Sequence, residues 1–348
     1  MVLHKDKESF QELITLTSQK FGIEEIYVEK DYFVVLALKS LSESDFKQNG
    51  IFKGGTSLSK AYGIINRFSE DIDMAIVSDD GDEKGPKSGL KKVEQALTSH
   101  DAFTYNPEHE REKKSGWLRQ TVYEYPIINE GEDFGQASKH LFVDVSRISP
   151  GIPHEERTVQ TYIHDFLAGT GQQDEINLYE LQPIEVLTLS IERTFAEKFG
   201  AVVKFASQPD GDGTEPLQRL KDGIRHIYDL HMLLKVDRIR DFVYDNAKLQ
   251  DQSFHEFLEK VLRDDLEGMR GLEGYEEYMN GAFSECLLYN NPIEIWAELS
   301  PTFNDAFKRL HFKQPDFPTS EEMMASLKEL KSLCHEFDEW KAQNDVTF

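Results

Sequence analysis

The spacing of apolar residues changes near residue 183, and this change limits the fold more than any other feature of the sequence. Before it, short apolar segments alternate with amphipathic stretches, which predicts the strands of a mixed sheet between helices. After it, apolar residues recur at helical spacing to the end of the chain. At roughly 150 residues per domain, 348 residues suggest two domains. We therefore expect an α/β (α+β) domain over residues 1–175 and an all-helical domain over residues 176–348.

Individual segments follow from the same patterns. In the first half, these patterns predict helices near 28–41, 56–62 and 90–97. They predict strands at 71–77, 117–125 and 141–145. The second half predicts a long helix over 184–205, a helix over 217–234 and a last helix after Thr319, where Thr-Ser-Glu-Glu has the pattern of a capping box. Residues 78–85 and 207–216 have the composition of loops.

The composition restricts the class of protein. Asp and Glu number 64 against 39 Lys and Arg, so the formal net charge of −25 excludes a globally basic nucleic-acid-binding protein and leaves only a local basic patch open. No apolar run approaches the roughly 20 residues of a membrane-spanning helix, and no secretory signal is visible. Cys286 and Cys334 lack the spacing of metal ligands or of a disulfide framework. We expect a soluble cytoplasmic protein with no membrane partner.

Two short motifs in the first half point to chemistry. Gly54-Gly55 stands between a short apolar segment and a predicted helix, where bare backbone N–H groups suit a phosphate. Asp71 and Asp73 alternate with apolar residues, so their carboxylates share one face of a predicted strand. Two neighbouring carboxylates repel each other unless a cation lies near them, and Mg²⁺ prefers oxygen ligands. The two motifs together predict a nucleotide–metal site.

At these residues the sequence resembles the AbiEii/AbiGii toxin family of nucleotidyltransferases, which belongs to the DNA polymerase β-like superfamily. The resemblance rests on Lys53-Gly-Gly-Thr-Ser-Leu-Ser-Lys60 and Arg67-Phe-Ser-Glu-Asp-Ile-Asp73, with further similarity at Val28-Glu-Lys-Asp-Tyr-Phe33, Glu192–Lys198 and Arg225–Leu230. It implies a polymerase β-like nucleotidyltransferase domain with a short mixed sheet, followed by a helical domain that completes the nucleotide cleft.

The resemblance also implies roles for residues of the first half. Asp71 and Asp73 would be catalytic and would bind Mg²⁺ or Mn²⁺. The residues that would contact the nucleotide are Gly54, Gly55, Thr56 and Ser69. A third metal ligand is expected on a neighbouring strand, and Asp144 is the candidate; the alternative is an edge-strand aspartate that pairs with an arginine.

In the helical half, Lys198 and Asp229 are the catalytic candidates. Thr194 and Lys198 are four residues apart and share a helix face, and the resemblance assigns the lysine to the triphosphate of NTP. The alternative is an ordinary solvated lysine. Asp229 would be a catalytic carboxylate and Arg225 would bind phosphate; the alternative is a surface ion pair between these two, worth a few tenths of a kcal/mol.

The implied function is a metal-dependent transfer of NMP from NTP to an acceptor, with RNA such as tRNA as the best candidate. The protein would be the toxin of a bacterial toxin–antitoxin or phage abortive-infection system, with a cognate AbiEi-type antitoxin as partner. The basic residues available to an RNA acceptor are Lys53, Lys60, Arg67, Lys204, Arg219 and Lys221.

Two alternatives stay open. The first is a nucleotidyltransferase that modifies a small molecule, which the negative net charge favours. The second is a protein that binds a nucleotide without turnover. A zinc enzyme is not indicated, because the histidines lack the i, i+4 helix pair of a zinc site.

Overall fold

A mixed β-sheet organises the first half of the chain in the computed structural model, which describes residues 2–77, 87–128, 138–207, 214–244, 249, 251–268, 275–312 and 316–348. The chain divides into two units, Met1–Ser190 (unit 1) and Ile191–Phe348 (unit 2). The boundary between the units comes directly after a strand of the sheet, Ile184–Leu189. The boundary predicted from the sequence lies earlier, between residues 175 and 176. The loop predicted at 78–85, and residues 208–213 of the loop predicted at 207–216, lie outside the described residues.

Unit 1 combines the sheet with helices. Its helices are α1 (Lys7–Phe21), α2 (Glu25–Ser42), α3 (Gly54–Lys60), α4 (Lys87–Leu97), α5 (Tyr162–Gly169) and α6 (Gln173–Leu178), after a short 3-10 helix at Leu3–Lys5. Its strands are β1 (Gly50–Lys53), β2 (Ile72–Ile76), β3 (Thr104–Tyr105), β4 (Lys113–Lys114), β5 (Leu118–Glu124), β6 (Leu141–Ser146), β7 (His154–Val159) and β8 (Ile184–Leu189).

The strand order places β2 between β6 and β1 at the centre of the sheet. The full order is β3-β5-β6-β2-β1-β8-β7, with β4 paired to β5. Strand β2 runs parallel to β6 and antiparallel to β1, so the sheet is mixed. The core beside it includes Ile51, Ala75 and Leu189 from three adjacent strands. The predicted fold class is confirmed for this half.

Unit 2 is helical in its described residues. Its helices are α7 (Ile191–Ser207), α8 (Pro216–Asp222), α9 (Ile224–Leu233), α10 (Asp237–Tyr244), α11 (Phe254–Gly268), α12 (Tyr275–Asn280), α13 (Leu287–Asn290), α14 (Pro292–Thr302) and α15 (Ser320–Gln343), with 3-10 turns at Phe283–Glu285 and Lys308–Leu310 and a π turn at Phe303–Phe307. Helix α7 packs against α8, α9 and α11 through buried phenylalanines such as Phe195 and Phe199. None of the described helices is long and apolar enough to cross a membrane.

Two predicted helices differ from the structure. The segment 184–205 is a strand, β8, followed by α7, because a short apolar run in a central strand has no periodicity that separates it from a helix. The helix predicted over 217–234 is broken at Gly223 into α8 and α9. The capping box is present: the Thr319 hydroxyl accepts from the Glu322 N–H, and the Glu322 carboxylate accepts from the Thr319 N–H.

Candidate active site

The glycine turn lies against two charged side chains. Gly54 begins α3 at the end of β1 with φ +77°, in the left-handed region, and a Cβ there would stand 2.2 Å from Asp73 Oδ2. A Cβ on Gly55 would stand 2.5 Å from an Nη atom of Arg67, which is itself buried. Gly54 therefore requires glycine, because its φ is left-handed and the Asp73 carboxylate occupies the space of a Cβ. At Gly55 a Cβ would displace the ends of the Arg67 and Ser69 side chains.

The strand register brings the predicted carboxylates together. Asp73 on β2 is directly opposite Asp144 on the parallel neighbour β6, so both side chains lie on one face of the sheet. Asp71 precedes β2 by one residue and lies two positions before Asp73, as the alternation predicts. The Gln120 amide on β5 donates to Asp144 Oδ2 at 2.9 Å. Asp144 is thus on an interior strand, between β2 and β5, and not at a sheet edge.

One carboxylate oxygen of this cluster lacks a hydrogen-bond partner. Asp71 Oδ1 is buried and has no hydrogen-bond partner, and the Arg111 guanidinium is 3.9 Å away, too far for a hydrogen bond. Arg111 instead lies over the ring of Phe142, with its Cζ 3.7 Å from the ring centroid. Burial raises the pKa of Asp144; the Gln120 hydrogen bond opposes this increase, and the charge of Asp71 adds to it.

The donor chemistry of these residues suits a divalent cation. Three carboxylates on one face offer oxygen ligands, and the orphaned Asp71 Oδ1 lacks the donor that a buried carboxylate oxygen requires. A hard cation would supply the missing partner and would also lower the pKa of Asp144.

Thr56 and Ser69 connect the glycine turn to the carboxylate strand. The Thr56 hydroxyl forms hydrogen bonds of 3.0 Å with Ser69 Oγ and 2.7 Å with the main-chain oxygen of Asp71. Thr56 is 1% exposed, so its hydroxyl is committed to these protein groups. The two residues predicted to contact nucleotide therefore also hold Asp71 in place.

In unit 2, the structure pairs the two catalytic candidates with each other. Lys198 Nζ on α7 lies 2.8 Å from Asp229 Oδ2 on α9; the lysine is 7% exposed and the aspartate is fully buried. Two alternatives from the sequence analysis are therefore wrong: Lys198 is not a solvated lysine, and Asp229 does not form a surface ion pair with Arg225. Arg225 is exposed, and Thr194 Oγ1, one turn before Lys198, is buried without a hydrogen-bond partner.

Three of the basic residues proposed for an RNA surface have enclosed side chains. Lys60 forms an ion pair of 2.6 Å with the buried Asp31, and Arg67 is 3% exposed beneath Gly55. Arg219 is 8% exposed, and its Nε and one Nη have no hydrogen-bond partner. The prediction that Lys60, Arg67 and Arg219 form part of an exposed basic surface is wrong, because a single sequence does not show which charged side chains the core encloses. Lys53, Lys204 and Lys221 stay at least partly exposed.

The sequence patterns do not predict that α2 carries buried charges. Lys30 and Asp31 lie in a segment that resembles the family, and the structure buries both, with Lys30 paired to Glu70 and Asp31 paired to Lys60. A signal is present: Glu29-Lys-Asp31 interrupts the otherwise apolar stretch 26–38, and three successive residues cannot all face solvent from a buried helix.

A second group of metal-type side chains lies elsewhere in unit 1. His4, His100 and Asp101 bring one ligand atom each within 4.8 Å of one another. Each already has a protein partner: His4 Nδ1 is 3.0 Å from the Tyr32 hydroxyl, His100 Nδ1 accepts from the Ala102 N–H, and Asp101 pairs with Lys5 at 2.7 Å. These groups are satisfied without an ion, in contrast to Asp71.

The sequence matches a known family over most of its length. The family model described as nucleotidyl transferase AbiEii toxin, type IV toxin–antitoxin system, matches residues 36–339. No curated protein sequence matches significantly. A solved structure from H. pylori, assigned as a nucleotidyltransferase, is 18% identical with a TM-score of 0.44 and covers 91% of this chain and 98% of its own. The nucleotidyltransferase toxin MenT4 from Mycobacterium tuberculosis H37Rv is 14% identical with a TM-score of 0.33, covering 93% and 98%.

Proposed function

The chain belongs to the AbiEii family of nucleotidyl transferase toxins, and we propose that it transfers NMP from NTP to an RNA acceptor in a metal-dependent reaction. The enzyme class, a nucleotidyltransferase, follows from the family. The observation that supports the metal is the orphaned oxygen of Asp71 among three carboxylates on one face of the sheet. The acceptor hydroxyl would attack the α-phosphorus of NTP, releasing pyrophosphate and losing its proton as the new P–O bond forms.

Asp71, Asp73 and Asp144 would hold Mg²⁺ or Mn²⁺. When bound, the cation neutralises charge on the triphosphate and the attacking oxygen. The protein residues hold the carboxylates for this purpose: Gly54 leaves room for Asp73, Gln120 orients Asp144, and Thr56 holds the main chain at Asp71. Gly54 and Gly55 would contact a phosphate through their backbone N–H groups, since Asp73 and Arg67 fill the space that a Cβ would take at each position.

In unit 2, Lys198 would bind the triphosphate tail and Asp229 would orient its ammonium. The 2.8 Å ion pair supports this, since a buried carboxylate holds the lysine side chain in one position. Lys198→Arg keeps a cation beside Asp229, but a planar guanidinium has a different donor geometry. We expect this variant to weaken NTP binding more than NMP binding in calorimetry. Equal losses for the two nucleotides would remove Lys198 from the triphosphate site.

The transfer reaction is tested directly with labelled NTP. We expect the purified protein to label total RNA, a tRNA fraction most strongly, in the presence of Mg²⁺, and to lose this activity in excess chelator. Label that appears only after a small-molecule extract is added would support the small-molecule alternative. Nucleotide binding without labelled product under any condition would support a binding protein.

An RNA acceptor also predicts a salt dependence. Phosphate contacts release counterions, so acceptor affinity should fall log-linearly with salt, while NTP binding should respond less. The double variant Lys204→Gln and Lys221→Gln should reduce the slope by roughly one per lost contact. Lys235→Gln, an exposed lysine 3.6 Å from Glu322 and outside the proposed basic residues, is the matched control. A slope that does not change in the double variant would contradict these contacts.

We also propose a cognate antitoxin of the AbiEi type, because the family is assigned to toxin–antitoxin systems. Expression of the chain alone should arrest bacterial growth, and co-expression of the antitoxin should restore it. The Asp73→Asn variant should allow growth in both cases. Arrest by this variant would show that toxicity does not depend on the carboxylate site.

A further inference from the structure

Three successive residues of α2 are charged and buried. Glu29, Lys30 and Asp31 are 2%, 1% and 5% exposed. Successive helical residues point about 100° apart, so these side chains leave the helix in three directions. Glu29 accepts from the Ile128 N–H at 2.6 Å, and Asp31 accepts from Lys60 and from the Tyr162 N–H. Each charge therefore contacts a different part of unit 1.

Lys30 has the most complete set of partners. Its ammonium donates to the Glu70 carboxylate and to the main-chain oxygens of Ser138 and His140, the latter two at 2.7 Å. The Glu70 carboxylate in turn accepts from the Ser138 N–H at 2.9 Å. An ammonium has three N–H donors and no acceptor, so the three oxygens use its full capacity.

These partners are the residues that lead into the two strands of the carboxylate site. Glu70 is followed directly by Asp71 and β2, and His140 is followed directly by β6, which carries Asp144. The strands are parallel, so they begin at the same end of the sheet, and Lys30 bridges the two segments there. One ammonium thus joins the two segments that precede the three carboxylates in the chain.

We propose that Lys30 is a positioning residue for the cation-binding carboxylates, bridging the segments that lead into β2 and β6. This inference rests on the proposed function, because it assumes that Asp71, Asp73 and Asp144 bind the metal.

The sign of the change in metal affinity separates positioning from simple electrostatics. The Lys30 ammonium interacts electrostatically with Asp71, so Lys30→Met removes a positive charge close to the site. By Coulomb's law alone, this removal should strengthen the binding of a divalent cation. If Lys30 positions the carboxylates, the same variant should bind the cation more weakly.

The measurement is Mn²⁺ binding to the nucleotide-free full-length chain, by calorimetry and by the loss of the free Mn²⁺ EPR signal. We expect Lys30→Met to raise the dissociation constant tenfold or more, and the Mg²⁺ concentration for half-maximal transfer to rise in parallel. The KM for NTP at saturating Mg²⁺ should change less. Lys30→Arg keeps the charge but cannot reproduce three convergent donors, so it should raise the Mn²⁺ dissociation constant about threefold. This variant replaces Lys30→Met in the test if Lys30→Met does not fold.

The matched control is another buried ion pair of the same sheet. Arg119 on β5 donates to Glu94 on α4 at 2.5 Å. This ion pair joins β5 to α4 and does not involve the segments that lead into β2 or β6. Arg119→Met should lose stability but should bind Mn²⁺ like the wild type.

The outcomes distinguish two failures. A wild-type chain that does not bind Mn²⁺ would overturn the proposed metal site and, with it, the role of Lys30. Wild-type binding together with unchanged or tighter binding in folded Lys30→Met or Lys30→Arg would overturn the positioning role alone and leave the proposed function standing. An equal loss of affinity in Arg119→Met would show that the effect is a general consequence of lost stability.

Discussion

The two units handle buried charge in opposite ways. In unit 1, three carboxylates gather on one face of the sheet, and Asp71 Oδ1 has no hydrogen-bond partner. In unit 2, the fully buried Asp229 is paired at 2.8 Å with Lys198. The first arrangement leaves one buried carboxylate oxygen without a donor, whereas the second pairs its aspartate with a lysine of the same unit. Removal of a charge should therefore hardly affect, or even increase, the stability of the first cluster and should destabilise the second.

The largest expected effect is on catalysis in unit 1. Asp73→Asn should reduce transfer by 10³-fold or more, about 4 kcal/mol of transition-state stabilisation, because a cation ligand is lost. The free energy of unfolding without metal should stay the same or rise, since repulsion with the other carboxylates is relieved. Initial rates and urea denaturation in chelator measure the two quantities. Wild-type turnover in excess chelator would contradict the metal site.

The next effect is on stability in unit 2. Lys198→Met leaves Asp229 buried without its cation, so the free energy of unfolding should fall by about 3–5 kcal/mol. The double variant Lys198→Met with Asp229→Leu removes both charges and should recover most of this loss. Urea denaturation of the two proteins makes the comparison. If the single variant unfolds like the wild type, the pair is not the compensated arrangement described above.

A smaller effect distinguishes two glycines with positive φ. Gly54→Ala and Gly63→Ala both place a side chain at a left-handed position, φ +77° and +64°, which costs roughly 1 kcal/mol. Only at Gly54 would the new Cβ also collide with Asp73; nothing lies within 4 Å at Gly63. We expect Gly54→Ala to weaken Mn²⁺ binding tenfold and Gly63→Ala to leave it unchanged. Similar metal affinities in the two variants would mean that the close approach at Gly54 is dispensable.

The smallest effect is a pH dependence in unit 1. Burial raises the pKa of Asp144 above its ordinary value, so the folded chain holds this proton more tightly than the unfolded chain. The resulting stabilisation is present at low pH and is lost as pH rises through the raised pKa. In chelator, Asp144→Asn should gain stability relative to the wild type as pH rises from about 4. A difference that is constant with pH would place Asp144 in a less buried environment.

Unit 2 contains a contrasting titratable group. Burial lowers the pKa of His231 to about 4, and this histidine hydrogen-bonds Ser326 at 2.8 Å between α9 and α15. Between about pH 6.5 and about 4 this histidine is protonated in the unfolded chain but stays neutral in the folded one, so stability falls as pH drops through this range. This dependence is opposite in sign to that of Asp144. In the same pH series, the free energy of unfolding of His231→Gln should fall less steeply at acid pH than that of the wild type.

The candidate site was largely visible in the sequence. Alternation predicts that Asp71 and Asp73 share one face, because side-chain direction in a strand depends only on local period. The resemblance to the family, not the alternation, made Asp144 the candidate on a neighbouring strand, and the register pairs it with Asp73. The strand β8 was missed because a short apolar run fits a buried strand and a buried helix equally well, and only its pairing with β1 and β7 decides between them.

The sequence by itself determined which residue types could meet a phosphate and a cation, and that the chain joins an α/β half to a helical half. Only the tertiary structure decided which charges are enclosed and by what. Lys30, Lys60 and Lys198 are alike in sequence, yet each is buried against a carboxylate between 29 and 40 residues away. The reason is physical: the state of a charge depends on the dielectric and the partners around it, and distant segments supply both.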